Sequence, residues 1–142
     1  MEIKDIMTQS VVSIDPNESV EVAARTMSRH NIGALPVCGR DGGVCGVVTD
    51  RDLVTRCMAA NKPAGSTTVR QVMSGRVLSV KPDMDVSVAA HFMGKQQIRR
   101  LPVVEDGKVC GILSLGDIAG CEEAQYDAAD ALTDITSGIR KA

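Results

Sequence analysis

Two segments of the chain carry a hydroxyl followed three places later by a carboxylate, each where a run of aliphatic residues gives way to polar ones. They are Gly46-Val47-Val48-Thr49-Asp50-Arg51-Asp52 and Gly111-Ile112-Leu113-Ser114-Leu115-Gly116-Asp117. Two chemistries suit this pattern. In the first, Thr49 or Ser114 caps a helix N-terminus and the acid at the third helical position reaches back to the cap, as in a capping box. In the second, the helix N-terminus offers unpaired N–H groups and the positive end of its dipole to phosphate oxygens. The neighbouring carboxylate then accepts hydrogen bonds from ribose hydroxyls, as acids do in dinucleotide-binding folds.

Other reactive residue types do not assemble into a site. His30 and His91 fall on different helices, outside any metal-ligand spacing, and read as surface histidines. Cys38, Cys45, Cys57, Cys110 and Cys121 form no CxxC pair and are odd in number, which suits neither a disulfide framework nor a zinc site. They read as small reduced hydrophobes. Cys38, at a strand end beside a Gly-rich turn, is the candidate for exposure. The stretch from Gly39 to Gly43 lacks the Lys-Ser/Thr ending of a phosphate-binding loop and reads as a hairpin turn. No Ser, Cys or Lys stands in a recognisable nucleophile motif.

The elements that position the two hydroxyl–carboxylate pairs repeat. Shifting the sequence by 66 places lays IKDIMTQSVVSIDPNESVEVAARTMSRHNIGALPV over VRQVMSGRVLSVKPDMDVSVAAHFMGKQQIRRLPV, and after a one-residue deletion VCGVVTDRDL falls on VCGILSLGDI. Each copy reads as strand, helix, strand, strand, helix. Val11, Val12 and Ile14, and Val77, Leu78 and Val80, make short strands stopped by Pro16 and Pro82. Val20, Ala23, Ala24 and Met27, and Val86, Ala89, Ala90 and Met93, recur at helical spacing, with Asn17 or Ser19 able to cap the first helix. Leu35 to Val37 with Val44 to Val48, and Leu101 to Val104 with Val109 to Leu113, read as hairpins. Helices are expected from Asp50 to about Ala60 and from Gly116 to about Ala124. The repeats span 3–58 and 69–123, separated by a Pro-, Gly- and Ser-containing linker over 59–68. A tail over 124–142 has weak helical periodicity at Ala128, Ala131, Leu132 and Ile135.

Composition bounds the function. With 44% hydrophobic and 24% charged residues, the chain has the balance of a globular domain long enough to bury a core without metals or disulfides. Phe92 and Tyr126 are its only aromatic residues, so that core is aliphatic, with Met filling gaps. A net charge of -2 gives no basic footprint for nucleic acid. The N-terminal MEIKDIMTQSVV lacks the apolar run of a signal peptide, and no stretch is apolar enough to span a bilayer. A cytoplasmic location without membrane contact is expected.

The paired LPV hairpins with G-x-x-[ST]-x-x-D endings resemble the CBS-domain family over roughly residues 3 to 123. The resemblance implies an α/β (α+β) fold of two tandem β-α-β-β-α CBS repeats packed about a pseudo-two-fold axis, a Bateman module. It also implies two clefts for AMP, ADP, ATP or related adenosyl ligands such as NAD or S-adenosylmethionine. By resemblance, one site combines Thr49, Arg51 and Asp52 with Leu78, Ile98, Arg99 and Arg100. The other combines Ser114, Gly116 and Asp117 with Val12, Ile32, Gly33 and Ala34. The acids hold ribose, the hydroxyls hold phosphate, and the aliphatic side chains sandwich adenine. Three arginines in the first set favour a di- or triphosphate, or the pyrophosphate of a dinucleotide; for Arg99 and Arg100 the competing reading is a solvated surface pair. Gly116, Gly33 and Ala34 suit a less charged ligand in the second. The family implies a homodimer formed through the helices and a regulatory module, not an enzyme, that signals to a separate effector protein. The competing reading is a ligand-free structural or redox-responsive interaction module using Cys38.

Overall fold

In the computed structural model, which describes residues 1–141, the chain forms two units whose membership crosses the repeat boundaries. Val12–Val77 make one, and Met1–Val11 with the chain from Leu78 onward make the other. They are called here the first-repeat and second-repeat units.

In the first-repeat unit, α1 (Val20–His30) begins at Ser19, whose hydroxyl accepts the Val22 N–H at 3.1 Å, an N-cap of the expected kind. Its Val20, Ala23 and Met27 are buried, which is the inward stripe that the 3.6-residue period demands. Strands β1 (Ala34–Cys38) and β2 (Val44–Thr49) pair antiparallel, setting Leu35 against Val48 and Val37 against Gly46, with a bulge at Val37/Cys38. The helix after the hairpin starts as α2 (Asp50–Asp52) and continues as a π-helical segment, Leu53–Met58. A short α3 (Val69–Val72) completes the unit.

The second-repeat unit repeats the plan with α4 (Val86–Gln96), β3 (Arg100–Glu105), β4 (Lys108–Ser114) and α5 (Leu115–Ala119). The expected helix to about Ala124 breaks at Gly120, and after a 3₁₀ turn at Glu122–Ala124 the tail forms α6 (Gln125–Lys141). The last tail residue, Ala142, lies outside the described residues. Ala128, Ala131 and Ile135 of the expected tail stripe are buried, with Ala124 ahead of them, so most of the periodicity is a packing stripe; Leu132 departs from it and is 46% exposed. α6 lies across α4 and α5.

The first expected strand of each repeat shrinks to a single bridge. Ile14 N–H donates to the Pro36 carbonyl and the Ile14 carbonyl accepts from Cys38 N–H, at 3.0 and 2.9 Å. Val80 does the same with Pro102 and Val104, at 3.1 and 2.8 Å. The reason lies in the LPV sequence. Extending either parallel ladder toward Val12 or Leu78 requires an N–H from Pro36 or Pro102, and proline has none.

The opening residues of each repeat are exchanged between the units. Ile3 is fully buried in the core of the second-repeat unit, and its N–H donates to the Met84 carbonyl at 2.9 Å. Its counterpart Val69 and the nearby Val72 are buried in the first-repeat unit, where Val69 N–H donates to the Glu18 carbonyl at 2.8 Å. The residues expected as a linker are held as well. Thr67 is buried and its carbonyl accepts the Val20 N–H at 2.8 Å.

α1 and α4 end on a left-handed residue at the same repeat position, Asn31 with φ 52° and Gln97 with φ 57°. Asparagine tolerates this region better than glutamine. Gln97→Gly is therefore expected to stabilise the protein by up to about 1 kcal/mol, a rise of about 3 °C in the thermal midpoint for a chain of this size. Asn31→Gly should gain less.

Candidate functional site

Thr49 ends β2 and caps the helix that follows. Its hydroxyl accepts the Asp52 N–H at 3.1 Å, and the Asp52 carboxylate accepts the Thr49 N–H at 2.9 Å. Ser114 and Asp117 reproduce this at 3.0 and 2.9 Å. The capping box is thus real in both repeats. It uses the hydroxyl as acceptor and one carboxylate oxygen, Oδ2; the hydroxyl hydrogen and Oδ1 are outside it. Capping therefore fixes each pair's orientation without exhausting its polar atoms. In the first repeat Oδ1 of Asp52 lies 3.8 Å from Nε of Arg56. All four side chains are half-buried, whereas Arg51 and Gly116 are exposed.

Within each unit, the residues at and just before the start of the hairpin's first strand meet the start of the following helix. Ala34 stands opposite Thr49, and Asp50 N–H donates to the Gly33 carbonyl at 2.9 Å. In the second-repeat unit Arg100 stands opposite Ser114, and Leu115 N–H donates to the Arg99 carbonyl at 2.8 Å. Arg99, Arg100, Ser114, Leu115 and Gly116 line a cleft of about 510 Å³, closed from the other side by Gln125, Ala128, Ala129 and Leu132 of α6. The resemblance divides Arg99 and Arg100 from Ser114 and Gly116; the second-repeat unit sets them around one cleft. Both arginines are exposed. Val12 and Ile32 pack on the core of the first-repeat unit, and Leu78 and Ile98 on that of the second.

The α6 wall of this cleft was not assigned by sequence reasoning. Its signal was present in the period of Ala128, Ala131, Leu132 and Ile135, but a stripe does not name the helix it packs against. The glycines that open the two motifs are packing residues as well. A Cβ on Gly46 would stand 2.7 Å from the Ser74 carbonyl oxygen, and one on Gly111 would stand 2.5 Å from Met7 Sδ and 3.1 Å from the Thr8 carbonyl oxygen. Each glycine admits the backbone of an exchanged segment.

The two-fold recurrence of hairpin, capping box and exchanged segment is matched by a family model for the CBS domain, which covers residues 3–59 and again 69–122. The chain belongs to the CBS-domain family. It is 40% identical over 134 residues to the CBS domain-containing protein YhcV of Bacillus subtilis, covering 94% of both chains. Among solved structures it resembles the CBS domain pair of protein MJ0100 in complex with 5'-methylthioadenosine and S-adenosyl-L-methionine, at 30% identity and a TM-score of 0.74 over 84% of this chain and 94% of that one. It also resembles Hypoxic Response Protein I with two coordinated zinc ions, at 32% identity and a TM-score of 0.77 over 84% and 98% of the two chains. In this CBS protein no group of three or more His, Cys, Asp or Glu side chains among the described residues is placed to hold a metal. No helix among the described residues is long and apolar enough to cross a membrane.

Burial holds two of the thiols in the protonated form. Cys38 is half-buried, and burial pushes its pKa up, against a lowering hydrogen bond with Ser13. Burial, with help from the charge of Glu105, also raises Cys110. Both stay protonated at neutral pH, and the thiol form is a poor nucleophile. At pH 7.5 iodoacetamide is expected to alkylate Cys38 and Cys110 severalfold more slowly than it alkylates glutathione. Mass spectrometry of a time course would show this, with both rates still climbing with pH where that of glutathione levels off.

Proposed function

We propose that this CBS pair is a regulatory module that binds an adenosyl ligand through the half-buried Thr49–Asp52 and Ser114–Asp117 pairs and passes the binding signal to another protein. The observation that carries the reading is the duplicated capping box, which presents a pre-oriented hydroxyl and carboxylate oxygen at the first turn of a helix in both repeats. A related CBS pair that holds methylthioadenosine and S-adenosylmethionine supports the ligand class. Arg51, Arg99 and Arg100 supply charge for phosphates; Val12, Ile32, Leu78 and Ile98, with Gly33, Ala34 and Gly116, supply the apolar and close-approach surface. The ligand's influence on the partner is bounded by its differential affinity for two states of the module, typically ~1–3 kcal/mol.

Thermal melting with AMP, ADP, ATP, NAD, S-adenosylmethionine and GTP, each near ~1 mM, tests this. A ligand with a dissociation constant near ~10 μM stabilises the protein by about 2.7 kcal/mol, which is a rise of roughly 5–11 °C. Asp52→Asn keeps an acceptor for the Thr49 N–H but removes the charge offered to ribose, so it should reduce the ligand-induced rise while shifting the ligand-free midpoint little. Thr49→Ala removes the cap itself and lowers the ligand-free midpoint by about 3 °C, for a loss of about 1 kcal/mol. If no adenosyl compound moves the midpoint of the unaltered protein, the paired acids are caps alone and the reading fails.

A further inference from the structure

The two hairpins bulge at the same place. In the first-repeat unit Val37 stands opposite Gly46 and Cys38 opposite Val44, so Cys45 is the extra residue. In the second-repeat unit Val103 stands opposite Gly111 and Val104 opposite Val109, which makes Cys110 the extra residue. Each extra thiol is held alike: Cys45 Sγ donates to the Val37 carbonyl and Cys110 Sγ to the Val103 carbonyl, both at 3.4 Å. At a bulge two residues of one strand oppose a single residue of the other, so Cys45 shares with Val44 the place across from Cys38. The second-repeat unit shows what these positions face. Val104 and Cys110 line one cleft of about 540 Å³ together with Met7. The first-repeat residues at the same three positions are Cys38, Cys45 and Met73. All three carry sulfur, and all three are half-buried. Cys45 and Met73 pack on one core, and the Cys38 thiol is hydrogen-bonded with Ser13. Met73 Sδ lies 2.7 Å from where a Cβ would stand on Gly46, the neighbour of Cys45, just as Met7 Sδ lies 2.5 Å from the matching point on Gly111.

We propose that Cys38, Cys45 and Met73 form a binding site for a soft monovalent cation, copper(I). Thiolate and thioether sulfur are the ligands that select copper(I), whereas carboxylate, carbonyl and water suit harder ions. The described residues hold no group of three or more His, Cys, Asp and Glu side chains that would add nitrogen or oxygen donors. Binding releases the two thiol protons to solvent and leaves two thiolates and a neutral thioether around one positive charge. The apolar core behind Cys45 and Met73 limits solvent access to the ion. Val104 breaks the set in the second-repeat unit, so the chain has one such site. The competing sulfur pair is Cys121 and Met1, whose Sγ and Sδ lie 3.2 Å apart; it supplies a single thiol.

Reduced full-length protein, titrated without oxygen with copper(I) in the presence of the chromogenic chelator bathocuproine disulfonate, should withdraw one copper(I) per chain. Changing a residue that merely supports a ligand costs about 10–100-fold in metal affinity, so Cys38→Val and Cys45→Ser should each weaken binding by at least about a hundredfold. Cys38→Val installs the residue that the second repeat carries at Val104, so the fold and the circular dichroism should be unchanged. Met73→Leu keeps an apolar side chain and should weaken binding roughly tenfold with the stoichiometry kept. Val104→Cys completes the set beside Met7 and Cys110 and should raise uptake to two copper(I) per chain. Cys121→Ser should change nothing. The proposal is overturned if the unaltered protein cannot compete with the chelator, if uptake is indifferent to Cys38→Val and Cys45→Ser, or if Cys121→Ser abolishes it. Displacement of copper(I) from the site by zinc(II), or a stoichiometry unmoved by Val104→Cys, overturns it as well. No nucleotide enters the titration, so its failure leaves the adenosyl-ligand reading intact.

Discussion

Gly46→Val is expected to destabilise the first-repeat unit by about 3 kcal/mol or more. The added side chain would begin 2.7 Å from both Met73 Sδ and the Ser74 carbonyl oxygen. The methionine end can swing aside, but the carbonyl cannot, because Ser74 and Val47 exchange two backbone hydrogen bonds of 3.0 Å. Overpacking of this kind costs about 1–3 kcal/mol, and each of the two ladder bonds that strain lengthens adds about 1 kcal/mol. At about 3 °C per kcal/mol the midpoint should fall by roughly 9 °C. Hydrogen exchange mapped by mass spectrometry should show faster exchange over 66–77 than over 78–141. An unchanged midpoint would mean that the segment after the repeat boundary is not packed on β2. Gly111→Val probes the same contact in the second-repeat unit, where the obstacle is Met7 and the Thr8 carbonyl oxygen.

Leu101→Ala should cost about as much in the other unit. Leu101 is 1% exposed and packs in a core with Ile3, Val80, Val86, Met93, Val103, Leu113 and Ile118. Truncation there loses the transfer free energy of the removed carbons and leaves a cavity, together about 2–5 kcal/mol. The spread reflects how far neighbours relax, and here Met93 is the flexible filler able to follow. A fall of roughly 6–15 °C is expected, with faster exchange in α4, β4 and the Ile3 segment. Exposed residues of the same strand give the control: Arg100→Ala should move the midpoint by less than about 2 °C, a surface change of under ~0.5 kcal/mol.

Much of this protein is decided by local chemistry that a sequence displays. Ser19 announces the start of α1, the Val20–Ala23–Met27 spacing turns one face of that helix inward, and the paired Leu35-Pro36-Val37 and Val44–Thr49 segments can only form a hairpin with Leu35 and Val48 on one side. The hydroxyl and acid three residues apart form the capping box in both repeats because that spacing fits one helical turn. The 66-residue offset, 65 beyond the hairpin turn, carries all of this across to the second copy, and with it the family.

Tertiary structure decided what depends on partners distant in the chain. Nothing within residues 1–8 says that Ile3 belongs against Val80 and Val86, since a short apolar turn satisfies any nearby core, and both repeats begin with nearly the same one. The outer parallel ladder was lost for want of two proline N–H groups, a constraint that appears only once the pairing partner is known. The period of Ala128, Ala131 and Ile135 marked a buried stripe. It took the approach to Gly94 to name α4 as its seat and to add α6 to the wall of the Arg99–Ser114 cleft. Periodicity in a sequence fixes which face of an element is buried; only the packing of the whole chain fixes against what.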